Sequence, residues 1–133
     1  MAIYVTSDAH GHVRALDEAL SKISLTSDDT LYVLGDMIDR GPDPVGVIKL
    51  VRSLPNARVL KGNHEQIMLD AIIGQDPLDA ETWDINGGWT TREQLNDMEF
   101  EAYEELGGWP RCRSTRWSRP RSARICWYML ESR

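Results

Sequence analysis

Seven side chains in three short stretches could do chemistry together. "SDAHGH" offers Asp8 and His10, "GDMIDRG" offers Asp36, Asp39 and Arg40, and "GNHE" offers Asn63 and His64. Carboxylate and imidazole together suit borderline divalent ions such as Mn, Fe or Zn. A central carboxylate such as Asp36 can bridge two ions, and two ions roughly 3.5–4 Å apart activate water and clamp an in-line displacement at phosphorus. The guanidinium of Arg40 is a planar fork matched to phosphate oxygens. His64 can protonate a leaving alkoxide while Asp39 holds its imidazole in place. Taken singly, each stretch reads as a solvated turn or a helix cap. Jointly they differ, because all three histidines of the chain, His10, His12 and His64, fall inside them.

The segments around these stretches must position them. "AIYVTS" (residues 2–7), "TLYVLG" (30–35) and "ARVLKG" (57–62) have the apolar, β-branched character of strands. "HVRALDEALSKIS" repeats apolar Val13, Leu16, Leu20 and Ile23 at intervals of three and four, which predicts an amphipathic helix. "DPVGVIKLVRSL" opens on Asp43 as N-cap and Pro44 at the first helical position, with Val47, Ile48, Val51 and Leu54 on one face. "HEQIMLDAII" is a third helix, ended by Gly74. Strand and helix alternate three times, so an α/β fold with a parallel sheet and right-handed crossovers is expected. Ligands in such sheets bind beyond the carboxyl ends of the strands. That rule selects the same three stretches. Beyond Gly74, one or two short helices with a break at Gly87–Gly88 are expected.

Composition sets the outer bounds. A chain of 133 residues that is 41% hydrophobic suits one modest core. No apolar run approaches a membrane span, and the N-terminus lacks the basic region of a secretory signal, so a cytoplasmic protein is expected. The net charge of −6 is unevenly distributed. Residues 1–108 carry 8 basic and 20 acidic side chains, whereas residues 109–133 carry seven arginines and one glutamate. The acidic body argues against a nucleic-acid partner and tolerates bound cations. Both cysteines, Cys112 and Cys126, lie in the basic segment and do not make a zinc site.

The series D-x-H-G, G-D-x-x-D-R-G and G-N-H-E resembles the calcineurin-like metallophosphoesterases, and within them the phosphoprotein phosphatase branch of bacterial and phage-type serine/threonine phosphatases. The resemblance runs from Ile3 to about Trp89, where "NGGWTTREQL" is also similar to that branch. It implies the β-α-β-α-β half of a four-layer α/β/β/α sandwich, with the second sheet largely missing from this chain. It implies a metal-dependent phosphoester hydrolase of the protein phosphatase type, using metal-activated hydroxide for in-line attack on a phosphate monoester. Asp8 and His10 would bind the first metal, Asp36 would bridge both, and Asn63 would bind the second and contact phosphate. His64 would be the general acid, Asp39 its orienting partner, and Arg40 the phosphate ligand.

Two divalent ions are the implied cofactors, with Mn favoured over Fe or Zn. The implied partner is a phosphorylated protein or a small phosphoester. Symmetrical dinucleoside tetraphosphatases, which share the site, usually lack Asp at the position of Asp39 and have Asp at that of Glu65. They are one alternative, and an inactive phosphate- or metal-binding module is another. His12 reads as a rim residue, Glu65 as a first-turn helix acid favoured by the dipole, and Trp83 and Trp89 as packing residues.

The family pattern also contains two later histidines and a second phosphate-binding arginine, but no histidine follows His64 here. The second metal would keep only Asp36 and Asn63, so the chain alone is expected to be weakly active or inactive. One face of its sheet is expected to lie exposed. Residues 1–108 read as the N-terminal portion of the domain and 109–133 as an irregular basic tail. The abrupt change in charge and periodicity suggests translation out of frame from a point between Leu106 and Pro110. Translation of the coding DNA in the other two frames should then reveal a strand pattern followed by a histidine motif. If neither frame contains them, a genuine basic arm for RNA or membrane anions takes the idea's place.

Overall fold

The computed structural model describes residues 1–74 and 76–97; the expectations for residues 98–133, including the boundary at 108, lie outside the described residues. Eight elements follow in order: β1 (Ile3–Thr6), α1 (Val13–Ile23), β2 (Thr30–Val33), α2 (Pro44–Ser53), β3 (Ala57–Val59), α3 (Asn63–Ile73), α4 (Pro77–Ile85) and α5 (Trp89–Asp97). The expected alternation through α3 is present. The strands are shorter than their apolar runs at the carboxyl end, because the chain leaves the ladder to build the loops.

The three strands form one parallel sheet in the order β1-β2-β3. Ile3 pairs with Thr30 and Thr6 with Val33, while Leu31 pairs with Ala57 and Val33 with Val59. Both crossovers step the same way across the sheet, and right-handed connections therefore put α1 and α2 on the same face. Burial agrees with this. Leu31, Val33, Ala57 and Val59 face the helices and are buried with Leu16, Val47, Ile48, Val51 and Met68. Each Val, Leu, Ile or Met side chain so buried contributes about 1.5–3 kcal/mol. On the other face Ile3 is 64% and Val5 61% exposed. One face of the sheet thus lacks cover among the described residues, as expected.

Local signals explain the helix starts. Asp43 caps α2 by accepting from the Gly46 N–H at 2.8 Å, with Pro44 at the first helical position. Gln94 of α5 braces the same turn, accepting from the Val45 N–H at 2.9 Å and donating to Asp43 Oδ1 at 2.8 Å. Asp76 caps α4 through the Leu78 N–H. Among the described residues no helix is long and apolar enough to cross a membrane.

Asp29 fastens the entry edge of the sheet. Its buried carboxylate accepts from the Ala2 N–H at 2.7 Å and from the Thr26 N–H and hydroxyl, both at 2.9 Å. The Thr26 and Ala2 amides hold its carboxyl below the usual carboxylate pKa. A carboxyl depressed in the folded state binds fewer protons there than in the unfolded chain, so its contribution is present above the ordinary value and lost as pH falls through the folded one. Asp29→Asn should therefore lower the urea midpoint at neutral pH. Its gap from the parent should narrow on acidification below about pH 4. A gap that stays constant with pH would show that Asp29 acts by shape and not by charge.

Candidate active site

The backbone bends sharply where the candidate residues lie. Six non-glycine residues among those described have left-handed φ, and five of them are Asp8, His10, Asp36, Asp39 and Arg40, at φ values from 40° to 69°. Such backbone is uncommon outside glycine, although Asp and His tolerate it better than most residues. It is kept by contacts between loops. The His10 N–H donates to the Asp36 carbonyl at 3.0 Å, Gly11 to Met37 at 2.9 Å, and Asp43 to Gly11 at 2.9 Å. Glycines let these backbones touch: a Cβ on Gly35 would overlap the Gly62 nitrogen, and one on Gly41 would overlap the His10 carbonyl.

Glu65 ties the second loop to the third. It is fully buried. Its Oε2 accepts from the Asp36 N–H at 2.8 Å and the Gly62 N–H at 2.9 Å, and Oε1 accepts from the Met37 N–H at 2.8 Å. The bond to Gly62 is one half of a capping box, the half a glycine N-cap permits. The other two bonds reach across the site. Reading Glu65 as a first-turn acid accounts for its place at the start of α3 but not for these bonds.

At the carboxyl ends of β1 and β2, one ligand atom each from Asp8, His10 and Asp36 lies within 4.8 Å of the others. His10 Nδ1 is 2.8 Å from the Ile38 carbonyl, so it carries the proton and donates it. In the neutral ring that leaves Nε2, which is 3.7 Å from Asp8 Oδ1, as the lone-pair atom. Asp36 Oδ1 accepts from the His64 N–H at 2.9 Å, at the amino end of α3. An O/N donor set whose histidine tautomer is already fixed fits a borderline divalent ion. Asn63 opens α3 beside it and is exposed.

His64 and Asp39 form a buried pair, with Nδ1 2.7 Å from Oδ2. The His64 ring meets that of His10 edge-on, with centroids 4.6 Å apart. Asp39 is fully buried, and two further donors reach it. Trp83 Nε1 lies 3.0 Å from Oδ1 and 3.2 Å from Oδ2, and the Thr91 hydroxyl donates to Oδ1 at 2.7 Å. Arg40 is exposed, and its N–H donates to the Gly87 carbonyl at 3.0 Å. His12 lies at the exposed start of α1, in keeping with a rim position.

Sequence reasoning missed part of this arrangement. Trp83 is buried as expected, yet it also donates to Asp39. Trp89 is 51% exposed, so the packing expected of it is at most partial. Thr91 was not singled out. The only signal for it was its place in "NGGWTTREQL".

A sequence model of the calcineurin-like phosphoesterases matches residues 1–126. Symmetrical bis(5'-nucleosyl)-tetraphosphatases are similar: that of Erwinia tasmaniensis is 31% identical over 84% of this chain and 38% of its own length, and that of Pectobacterium carotovorum 38% identical over 56% and 27%. Serine/threonine-protein phosphatase 1 of Salmonella typhimurium is 38% identical over 68% of this chain and 41% of its own length. The chain thus spans about a quarter to two fifths of these relatives. A solved metallophosphoesterase from Sphaerobacter thermophilus aligns with 81% of the chain and 40% of its own at 31% identity and a TM-score of 0.49.

The Glu65 carboxylate is the most exacting of these contacts to replace. A hydrogen bond to a charged group contributes about 1.5–3 kcal/mol, and orphaned buried amides add their own penalty. Glu65→Gln turns one acceptor into a donor facing an N–H, and should lower the unfolding free energy by about 2–4 kcal/mol in urea titrations. A loss below about 0.5 kcal/mol, the range of ordinary surface changes, would mean that the amides find other partners.

Proposed function

The chain belongs to the calcineurin-like phosphoesterases, and we propose that within them it is a metal-dependent phosphomonoester hydrolase of the serine/threonine protein phosphatase type. The observation that carries this reading is the buried Asp39–His64 pair. The resemblance noted above makes Asp at position 39 a feature of that branch and one usually absent from the tetraphosphatases. Here Asp39 has a dedicated set of donors, as a residue with a defined task would.

In this reading Asp8, His10 and Asp36 would hold one divalent ion, and Asp36 with Asn63 a second. The ions, with Mn favoured, would supply Lewis-acid activation of the attacking water and neutralise charge on the phosphoryl group. Arg40 binds phosphate oxygens through its fork. Water, having given up one proton to solvent, adds at phosphorus as the bond to the leaving oxygen breaks, and that oxygen takes a proton from Nε2 of His64. Asp39 accepts the Nδ1–H and so keeps Nε2 as the donor atom. Stabilisation of the crowded phosphoryl charge supplies most of the rate gain in such a reaction.

The second reading, a symmetrical dinucleoside tetraphosphate hydrolase, has the tetraphosphatase relatives in its favour. Substrate preference separates the two. Mn-dependent release of phosphate from a phosphoserine peptide should exceed cleavage of diadenosine tetraphosphate, and chelation should abolish both. Asp8→Asn and His64→Asn should each lower kcat by about a hundredfold or more. The reverse preference would favour the second reading. Tight binding of one Mn per chain without turnover would point to a binding module.

A further inference from the structure

We infer that Thr91 and Trp83, brought in by the α4–α5 segment, are positioning residues that hold the Asp39 carboxylate in the one orientation that fixes the His64 tautomer. The functional consequence rests on the reading of His64 as proton donor, but the geometry does not. Asp39 receives donors from three elements: His64 of α3, Trp83 of α4 and Thr91 of α5. Three donors make four contacts with the two oxygens, the indole N–H being shared between Oδ1 and Oδ2. Turning the carboxylate plane away from the imidazole would break contacts to Trp83 and Thr91 as well.

Thr91 controls the main chain as well as the side chain. Its hydroxyl accepts from the Asp39 N–H at 2.9 Å while giving its own proton to Asp39 Oδ1 at 2.7 Å. This small ring closes on a residue with φ of 69°, a conformation a free loop would leave. Both partners are buried, Thr91 fully and Trp83 to 3% exposure. The indole lies on bare backbone, since a Cβ on Gly88 would overlap its ring, and the Gly88 N–H donates to the Trp83 carbonyl at 2.8 Å. The same segment reaches Arg40 through the Gly87 carbonyl.

Neutral donors matter here. An arginine or lysine in their place would compete with the imidazole for the carboxylate. Trp83 and Thr91 satisfy the remaining lone pairs and leave the negative charge to the Nδ1–H. Nδ1 is then permanently the donor to Asp39, and proton exchange with a substrate is confined to Nε2.

The chain has three histidines, so its imidazoles can be followed by long-range proton–nitrogen spectra of the full-length, 15N-labelled protein in alkaline solution. His64 should show the single Nδ1–H tautomer. Thr91→Val and Trp83→Phe should each turn this into a mixture, and Thr91→Ser should restore the parent spectrum. His10, tied to the Ile38 carbonyl, should stay unchanged in all three. A residue with only a packing role would lower the melting temperature and leave the tautomer single. That outcome in either Thr91→Val or Trp83→Phe overturns the inference, and if Thr91→Val does not fold, Trp83→Phe decides alone. A parent that prefers diadenosine tetraphosphate to the phosphoserine peptide would count against the functional reading and leave the tautomer result standing.

Discussion

A single buried carboxylate sets the geometry of this site. Glu65 has no water to solvate it, and three backbone amides from two loops converge on its two oxygens. Charge-assisted bonds of this kind are strong enough to outweigh the backbone strain of neighbouring residues in left-handed conformations, which is of order 1–3 kcal/mol each. The turn holding Asp36 and the start of α3 holding His64 therefore behave as one rigid piece. The bond from the His64 N–H to Asp36 adds to that piece from the other direction. Side chains that lie far apart in sequence acquire fixed mutual distances because their backbones are joined below them.

The sheet supplies the other half of the arrangement. Parallel strands in sequential order send all their carboxyl ends to one edge, so three loops meet there without any long connection. The same order puts the crossover helices on a single face. Positioning of the site and one-sided cover of the sheet are thus two results of one topology. The α4–α5 segment adds a third support. It braces α2 through Gln94 and the second loop through Trp83, Gly87 and Thr91.

Much of this was legible in the sequence because it is local. Apolar spacing marked α1 and α2, Asp43 and Pro44 marked the start of α2, and the strand-end rule selected the loops before any geometry was known. Asp39 beside His64 followed from residue chemistry and the family resemblance. What escaped was non-local. Asp39 is 44 residues from Trp83 and 52 from Thr91, and Glu65 is 29 from Asp36. No periodicity encodes such pairs. An indole N–H and a threonine hydroxyl also have no spacing that marks them as partners of a carboxylate. Glu65 was half visible, because its bond to Gly62 is three residues long and obeys a helix-start rule, while its longer bonds obey none.

The left-handed backbone at Asp8, Asp36 and Asp39 also bears on how the chemistry of such a site can be dissected. Removing a carboxylate by alanine changes two things at once: the charge is lost, and a residue poorly suited to positive φ is installed. Part of any functional loss would then belong to a loop that has moved. Asparagine keeps the shape and is among the residues most at home in that region, so it isolates the charge. The two substitutions form a pair at each position, and the difference between them measures how much the loop conformation itself is worth to the site.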